Sequence, residues 1–108
     1  LLAYAHSIGL EVVVAIHSAE QLTYAQTEAD IVAVVNYNLE DYSADLQKSL
    51  DLVTQLPTDK VLLSEGGIGT VEDIRRLKAA GYHGVMLGNC LMSQPDPAAA
   101  LQQLRSAL

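Results

Sequence analysis

Apolar residues in this chain come in two alternating arrangements: short, continuous, β-branched runs, and stretches in which apolar residues recur every three or four positions. Leu1 to Ile8 has the helical spacing, and Gly9 stands where a helix commonly ends in a left-handed residue. Glu11-Val12-Val13-Val14-Ala15-Ile16 is continuous and β-branched, the pattern of a strand buried on both faces of a parallel sheet. Ser18 to Gln21 has the spacing of a capping box and predicts a helix from Leu22 to about Thr27. A second strand follows over Asp30–Val35. Leu46, Leu50 and Val53 then form a helical stripe closed by Pro57. Lys60–Ser64 is the third strand. Thr70 caps a helix that runs through Ala80 to Gly81, and Gly84–Leu87 is the fourth strand. Cys90-Leu91-Met92 makes a short helical turn. Asp96-Pro97 opens the last helix, which carries Leu101, Leu104 and Leu108 on or near one face.

One helix followed by four strand–helix units leaves few topologies, because strand–helix–strand crossovers of one hand place successive strands side by side. Four parallel strands in sequence order are expected, with ligands bound at their carboxyl ends: after Ile16, Val35, Ser64 and Leu87. A length of 108 residues suits one domain spanning 1–108.

Composition narrows the partners. A net charge of −7 with only six Lys and Arg argues against a nucleic-acid surface, which needs clustered cations. Apolar runs fall well short of the roughly 20 residues that cross a bilayer, so no membrane partner is expected. Cys90 is the only cysteine, which excludes an internal disulfide and fits a reducing, cytoplasmic location. The acids Glu40, Asp41 and Asp45 have no histidine or second acidic cluster at ligand spacing, so no metal is expected.

Chemistry gathers at two strand ends. Glu65, Gly66, Gly67 and Gly69 follow the third strand, and Gly88 and Asn89 follow the fourth. Glycines there let backbone N–H groups approach an anion, and the positive end of the short helix after Gly88 would add to the same spot, which is the form of a phosphate pocket. Tight turns alone would also account for the glycines. Glu65 is either a group facing the ligand or a solvated acid favoured near the helix start at Thr70. His17 and Cys90 lie at strand ends too, but structural roles suit them better than ligand binding or nucleophilic attack. His6 and His83 are structural or solvent-facing.

The segments LLAYAHSIGLEVVVAIHSAEQL, VNYNLEDYSADL, LLSEGGIGTVEDIRRLKAAGYHGVMLGNCLM and PDPAAAL, in this order and spacing, resemble the C-terminal half of indole-3-glycerol-phosphate synthase, a β/α-barrel lyase of tryptophan biosynthesis. The resemblance implies half of a TIM (β/α)8 barrel, four parallel strands alternating with helices. A flatter sheet with helices on both faces is the alternative. It also implies a ring-closing decarboxylation and dehydration of an anthranilate-substituted deoxyribulose phosphate, with no metal or organic cofactor. The family's catalytic lysines would fall on barrel strands outside these residues. Glu65 matches a substrate-facing carboxylate, and Gly67 and Gly88 match the phosphate loops. Gly66 and Asn89 stand where the family has serines. Ala15, Val35 and Tyr37 replace a family glutamate, asparagine and arginine. Glu65 is thereby the catalytic candidate, and Gly66, Gly67, Gly88 and Asn89 the phosphate-binding candidates. The expected partners are a phosphorylated small molecule or inorganic anion and a second copy or complementary half-barrel. The chain alone is expected to be inactive, and a noncatalytic anion-binding or assembly module is the competing reading.

Overall fold

Four parallel strands, β1 (Val13–Ile16), β2 (Ile31–Val35), β3 (Val61–Glu65) and β4 (Gly84–Met86), lie side by side in sequence order in a computed structural model describing residues 1–108. The intervening helices are α1 (Leu2–Ser7), α2 (Leu22–Ala25), α3 (Gln47–Leu52), α4 (Val71–Ala80), α5 (Asn89–Met92) and α6 (Pro97–Ala107). None of them is long and apolar enough to cross a membrane.

Strand register decides which side chains share a face. Pairing of Ile16 with Val34, Val32 with Leu62, and Ser64 with Val85 puts these residues on one side of the sheet. That side is the core: Ile16, Val32, Val34 and Leu62 pack with Ala25 of α2, Leu46 and Leu52 at the ends of α3, and Ile74 and Leu77 of α4. Complete burial of a side chain such as Leu77 contributes about 1.5–3 kcal/mol. The opposite side bears Val13, Ala15, Val61, Leu63, Glu65 and Met86, and no helix covers it. Val13, Val61 and Met86 there remain 46%, 44% and 45% exposed. Helices on one face and an open concave face on the other make this half of a TIM-type barrel and exclude the flatter arrangement.

Several elements differ from their sequence pattern. β1 starts at Val13 rather than Glu11 and is buried on one face only, because the face that would line a barrel interior is open. The second helix is short: a 3-10 turn over Ala19–Gln21 leads into the single turn of α2, which ends at Ala25. Ser18 makes no side-chain cap there, and Gln21 Oε1 instead accepts from the His17 N–H at 2.6 Å. α3 turns Ser49 and Leu52 fully inward and leaves Leu50 half-buried, so its inner stripe is Leu46, Ser49, Leu52 and, past the helix, Leu56. β4 stops at Met86. In α6 only Leu104 of the expected stripe packs against the core, while Leu101 and Leu108 are exposed. That helix ends the row, tied back by the Arg75 guanidinium donating to Ala107 O at 2.7 Å.

Candidate functional site

The turn leaving β3 is shaped by what lies above it. Gly66 and Gly67 have φ of 99° and 69°, the left-handed region that side chains resist. A Cβ at Gly66 would also sit 2.7 Å from Tyr37 Cε2, and one at Gly67 would sit 2.9 Å from Ala44 Cβ. Tyr37 and Ala44 pair by an isolated bridge within the loop after β2, and their close approach to Gly66 and Gly67 lays that loop directly on the loop after β3. Ile68 is buried in the core and pins the far side of the same turn.

Below this turn sits a closed polar network. Asn36 is buried, and its Nδ2 donates to Ser64 Oγ at 3.0 Å and to Gly66 O at 2.9 Å. Its Oδ1 accepts from Ser49 N–H at 3.2 Å and Ser49 Oγ at 2.7 Å. Ser49 has thereby spent its hydroxyl proton, so in the 2.6 Å contact between the serines Ser64 is the donor. The three side chains form a one-way ring of hydrogen bonds. Reversing the Asn36 amide would set oxygen against oxygen at Gly66 and N–H against N–H at Ser49. Tyr82 adds a bond from its hydroxyl to Ser49 O at 2.7 Å, and burial pushes its pKa up from the ordinary 10.0, a shift the hydrogen bond partly offsets. Asn36 thus fixes the Gly66 carbonyl from below while the Tyr37 ring covers it from the side.

A pocket of about 450 Å³ opens between the loops after β3 and β4. Glu65, Gly66, Gly67, Gly88 and Asn89 all line it, together with Gly69, Cys90, Tyr37, Ala44, Ile68, Met86 and Leu87. All the residues singled out at these two strand ends therefore meet in one place. The N–H groups of Gly67, Ile68 and Gly88 have no acceptor in the protein. The N–H groups of Gly69 and Thr70 are different, because Asp73 Oδ2 accepts from them at 3.1 and 3.2 Å. The start of α4 is consequently filled by its own carboxylate in a capping box, and is not free for an external anion. α5 is a single turn and supplies N–H groups rather than a sizeable dipole. No Lys, Arg or His lines the pocket, and Glu65 is its one carboxylate.

The other candidates lie elsewhere. Ala15 and Val35 sit on the open face of the sheet, Val35 beside Glu65 in register. His17 is half-buried beyond β1, outside the pocket. His83 Nδ1 accepts from Leu62 N–H at 2.9 Å, a structural bond. His6 Nε2 meets Asp30 Oδ2 at 2.9 Å near the opposite, amino-terminal end of the strands. Asp41 and Asp45 accept from the N–H groups of Ser43 and Gln47, each at 2.9 Å, and so shape turns. The serines bonded to Asn36 were not apparent in the pattern; the available signal was a polar residue at Ser49, one turn after the apolar Leu46.

A half-barrel with ligand-sized loops at the carboxyl ends of its strands defines the class. The family model for indole-3-glycerol phosphate synthase matches residues 1–104, and the chain belongs to that family. It is 41% identical over 104 residues to the indole-3-glycerol phosphate synthase of Bacteroides thetaiotaomicron, covering 96% of this chain and 40% of the relative. The synthase of Variovorax paradoxus is 35% identical over 103 residues, covering 94% of this chain and 39% of the relative. The chain therefore spans about 40% of the length of the curated relatives it matches. Among solved structures, the N-acetylmannosamine-6-phosphate 2-epimerase from Clostridium perfringens superposes with a TM-score of 0.68 at 18% identity, over 99% of this chain and 47% of that one, a likeness of fold.

Proposed function

We propose that this chain is the phosphate-holding half of an indole-3-glycerol-phosphate-synthase-type barrel, working in the cytoplasm and binding a phosphorylated small molecule at the loops after β3 and β4. The observation that carries this reading is the convergence of Gly66, Gly67, Gly88 and Asn89 on one pocket in which the N–H groups of Gly67, Ile68 and Gly88 are unpartnered. Phosphate accepts from the N–H groups of Gly67, Ile68 and Gly88. Glu65 faces the reacting part of the ligand as the acid–base or hydrogen-bonding group. Affinity is modest, since the pocket contributes no cation and the net charge of −7 repels anions. A phosphate titration followed by amide chemical shifts tests it: shifts centred on Gly67, Ile68 and Gly88 are expected, and none at millimolar phosphate overturns the site.

Ala15, Val35 and Tyr37 favour a second reading, in which the half-barrel binds anions and assembles without catalysing. Ala15 cannot transfer a proton, and the lysines that the family resemblance implies lie outside these residues. The 108 residues alone are therefore expected to form no indole-3-glycerol phosphate from the carboxyphenylamino deoxyribulose phosphate. Indole fluorescence rising above the buffer rate would refute this.

A further inference from the structure

The loop after β3 hinges on one peptide plane. Gly66 O and the Gly67 N–H belong to the same trans peptide, so the two groups point in opposite directions. Glycine flanks that plane on both sides, and without a Cβ on either residue the backbone itself does little to stop the plane turning over. Turned over, it would present the Gly66 carbonyl oxygen to the pocket in place of the Gly67 N–H, and an anion there would meet a negative dipole end instead of a donor. What holds the plane is Asn36. Its Nδ2 donates to Gly66 O at 2.9 Å, from a side chain only 2% exposed, and no backbone N–H competes for that oxygen. The amide cannot reverse, because its Oδ1 is held by the Ser49 N–H at 3.2 Å and the Ser49 hydroxyl at 2.7 Å.

Resting on the phosphate reading above, we infer that Asn36 is a positioning residue of the anion site: without touching the ligand, it holds the Gly66–Gly67 peptide so that the Gly67 N–H faces the pocket, and thereby sets the affinity for phosphate. Binding reinforces the arrangement, since an anion on the N–H polarises the plane and strengthens the bond that its carbonyl accepts from Asn36. Asn36, Ser49, Gly66 and Gly67 all belong to this chain, so the effect is the same whatever surface closes the barrel.

Phosphate titrations followed by amide shifts compare three proteins: the unaltered chain, Ser49→Ala/Ser64→Ala, and Asn36→Leu/Ser49→Ala/Ser64→Ala. The double variant keeps the Nδ2 bond to Gly66 O and the Ser49 N–H that orients the amide, and should bind phosphate within about threefold of the unaltered chain. The triple variant should bind about tenfold more weakly than the double, the effect of one lost hydrogen bond to a charged group. Its Gly67 amide should lose most of its response to phosphate while the Gly88 amide keeps its own. A merely structural role for Asn36 would weaken both amides alike. Equal affinities of the double and triple variants, or an equal loss at Gly67 and Gly88, overturns the inference while leaving the phosphate site standing. Should the triple variant not fold, the unaltered chain decides: the Asn36 side-chain amide resonances should move with Gly67 along one binding curve, and resonances that stay fixed while Gly67 shifts overturn the inference. No shift at Gly67, Ile68 or Gly88 in the unaltered chain at millimolar phosphate overturns the phosphate site itself, and the inference with it.

Discussion

Gly66 is held from two directions, and each can be tested by substitution. Its φ of 99° already penalises a side chain, and the Tyr37 ring occupies the space a Cβ would need. Restoring the serine implied by the family resemblance, Gly66→Ser, is expected to cost about 2 kcal/mol of stability. In a Tyr37→Ala background the cost should fall by about 1 kcal/mol, leaving the backbone part. Urea unfolding of the four proteins measures this, and an identical cost in both backgrounds would show that the ring is no obstacle. The second hold is Asn36. Asn36→Leu strands Gly66 O and the Ser49 N–H in the interior, leaves the two serine hydroxyls only each other, and should cost about 3 kcal/mol or more. Adding Ser49→Ala and Ser64→Ala should recover part of that loss, since the two under-bonded hydroxyls disappear. A triple variant less stable than Asn36→Leu would contradict the ring of hydrogen bonds. Legibility divides along the same line. Glycines at 66 and 67 declare a turn in any sequence, because few other residues tolerate that backbone. Asn36 carries no such mark: its partners come from β3 and α3, 28 and 13 residues away, and only the folded chain brings them together.

Elements with their own start and stop signals read true, and elements shaped by neighbours did not. α4 has Thr70 and Asp73 in a reciprocal cap and Gly81 at φ 121°, so its bounds follow from local chemistry. α2 lacks a working cap and collapses to one turn, and α3 rotates so that Ser49 can reach Asn36, a demand no helical periodicity expresses. At the other end of the sheet one side chain joins elements. Asp30 Oδ2 accepts from Val12 N–H at 2.7 Å and meets His6 Nε2 at 2.9 Å, linking the start of β2 to the approach to β1 and to α1. The Val12 bond first, then the His6 bond, holds the Asp30 carboxyl below its ordinary value of 3.8, and the side-chain and backbone bonds from Ser43 do the same for Asp41. Because the folded values are depressed, the unfolded chain takes up protons first as the solution is acidified. The stabilisation is present above the ordinary aspartate value and is lost as pH falls through the folded value. The melting temperature should therefore decline below about pH 4, and Asp30→Asn should make the decline shallower. Circular-dichroism melts between pH 3 and 6 check this; an unchanged slope in Asp30→Asn would remove Asp30 from the account.

At the scale of the whole molecule, the order of elements was enough to read the parallel sheet, since alternating strands and helices with short connections leave little choice of topology. What periodicity could not tell was that one face of the sheet would stay open, exposed at Val13, Val61 and Met86 although Ala33 and Val35 of the central β2 are buried on it: a run such as Val12 to Ile16 looks the same whether its second face meets helices or the interior of a closed barrel. That open face dictates the behaviour of the 108-residue chain. Val13, Val61 and Met86 stand on it, with Ala15 and Leu63 between them, and β1 and β4 are unpaired edges. Leaving a few hundred Å² of such surface in water costs about 25 cal/mol per Å², several kcal/mol in all, comparable with the stability of a small domain. Covering it with a complementary four-stranded half removes that cost and pairs both edges. For this chain on its own, we propose that a second copy related by a two-fold axis supplies such a half. Sedimentation equilibrium at micromolar concentration should give twice the 11.6 kDa chain mass, with helical and sheet structure declining as the dimer dissociates on dilution. Val61→Glu places a carboxylate on the face that closure would bury and should shift the mass to that of a monomer, whereas Gln102→Glu, on the exposed surface of α6, should not. A cooperatively folded 11.6 kDa monomer from the unaltered sequence would overturn closure by a second copy.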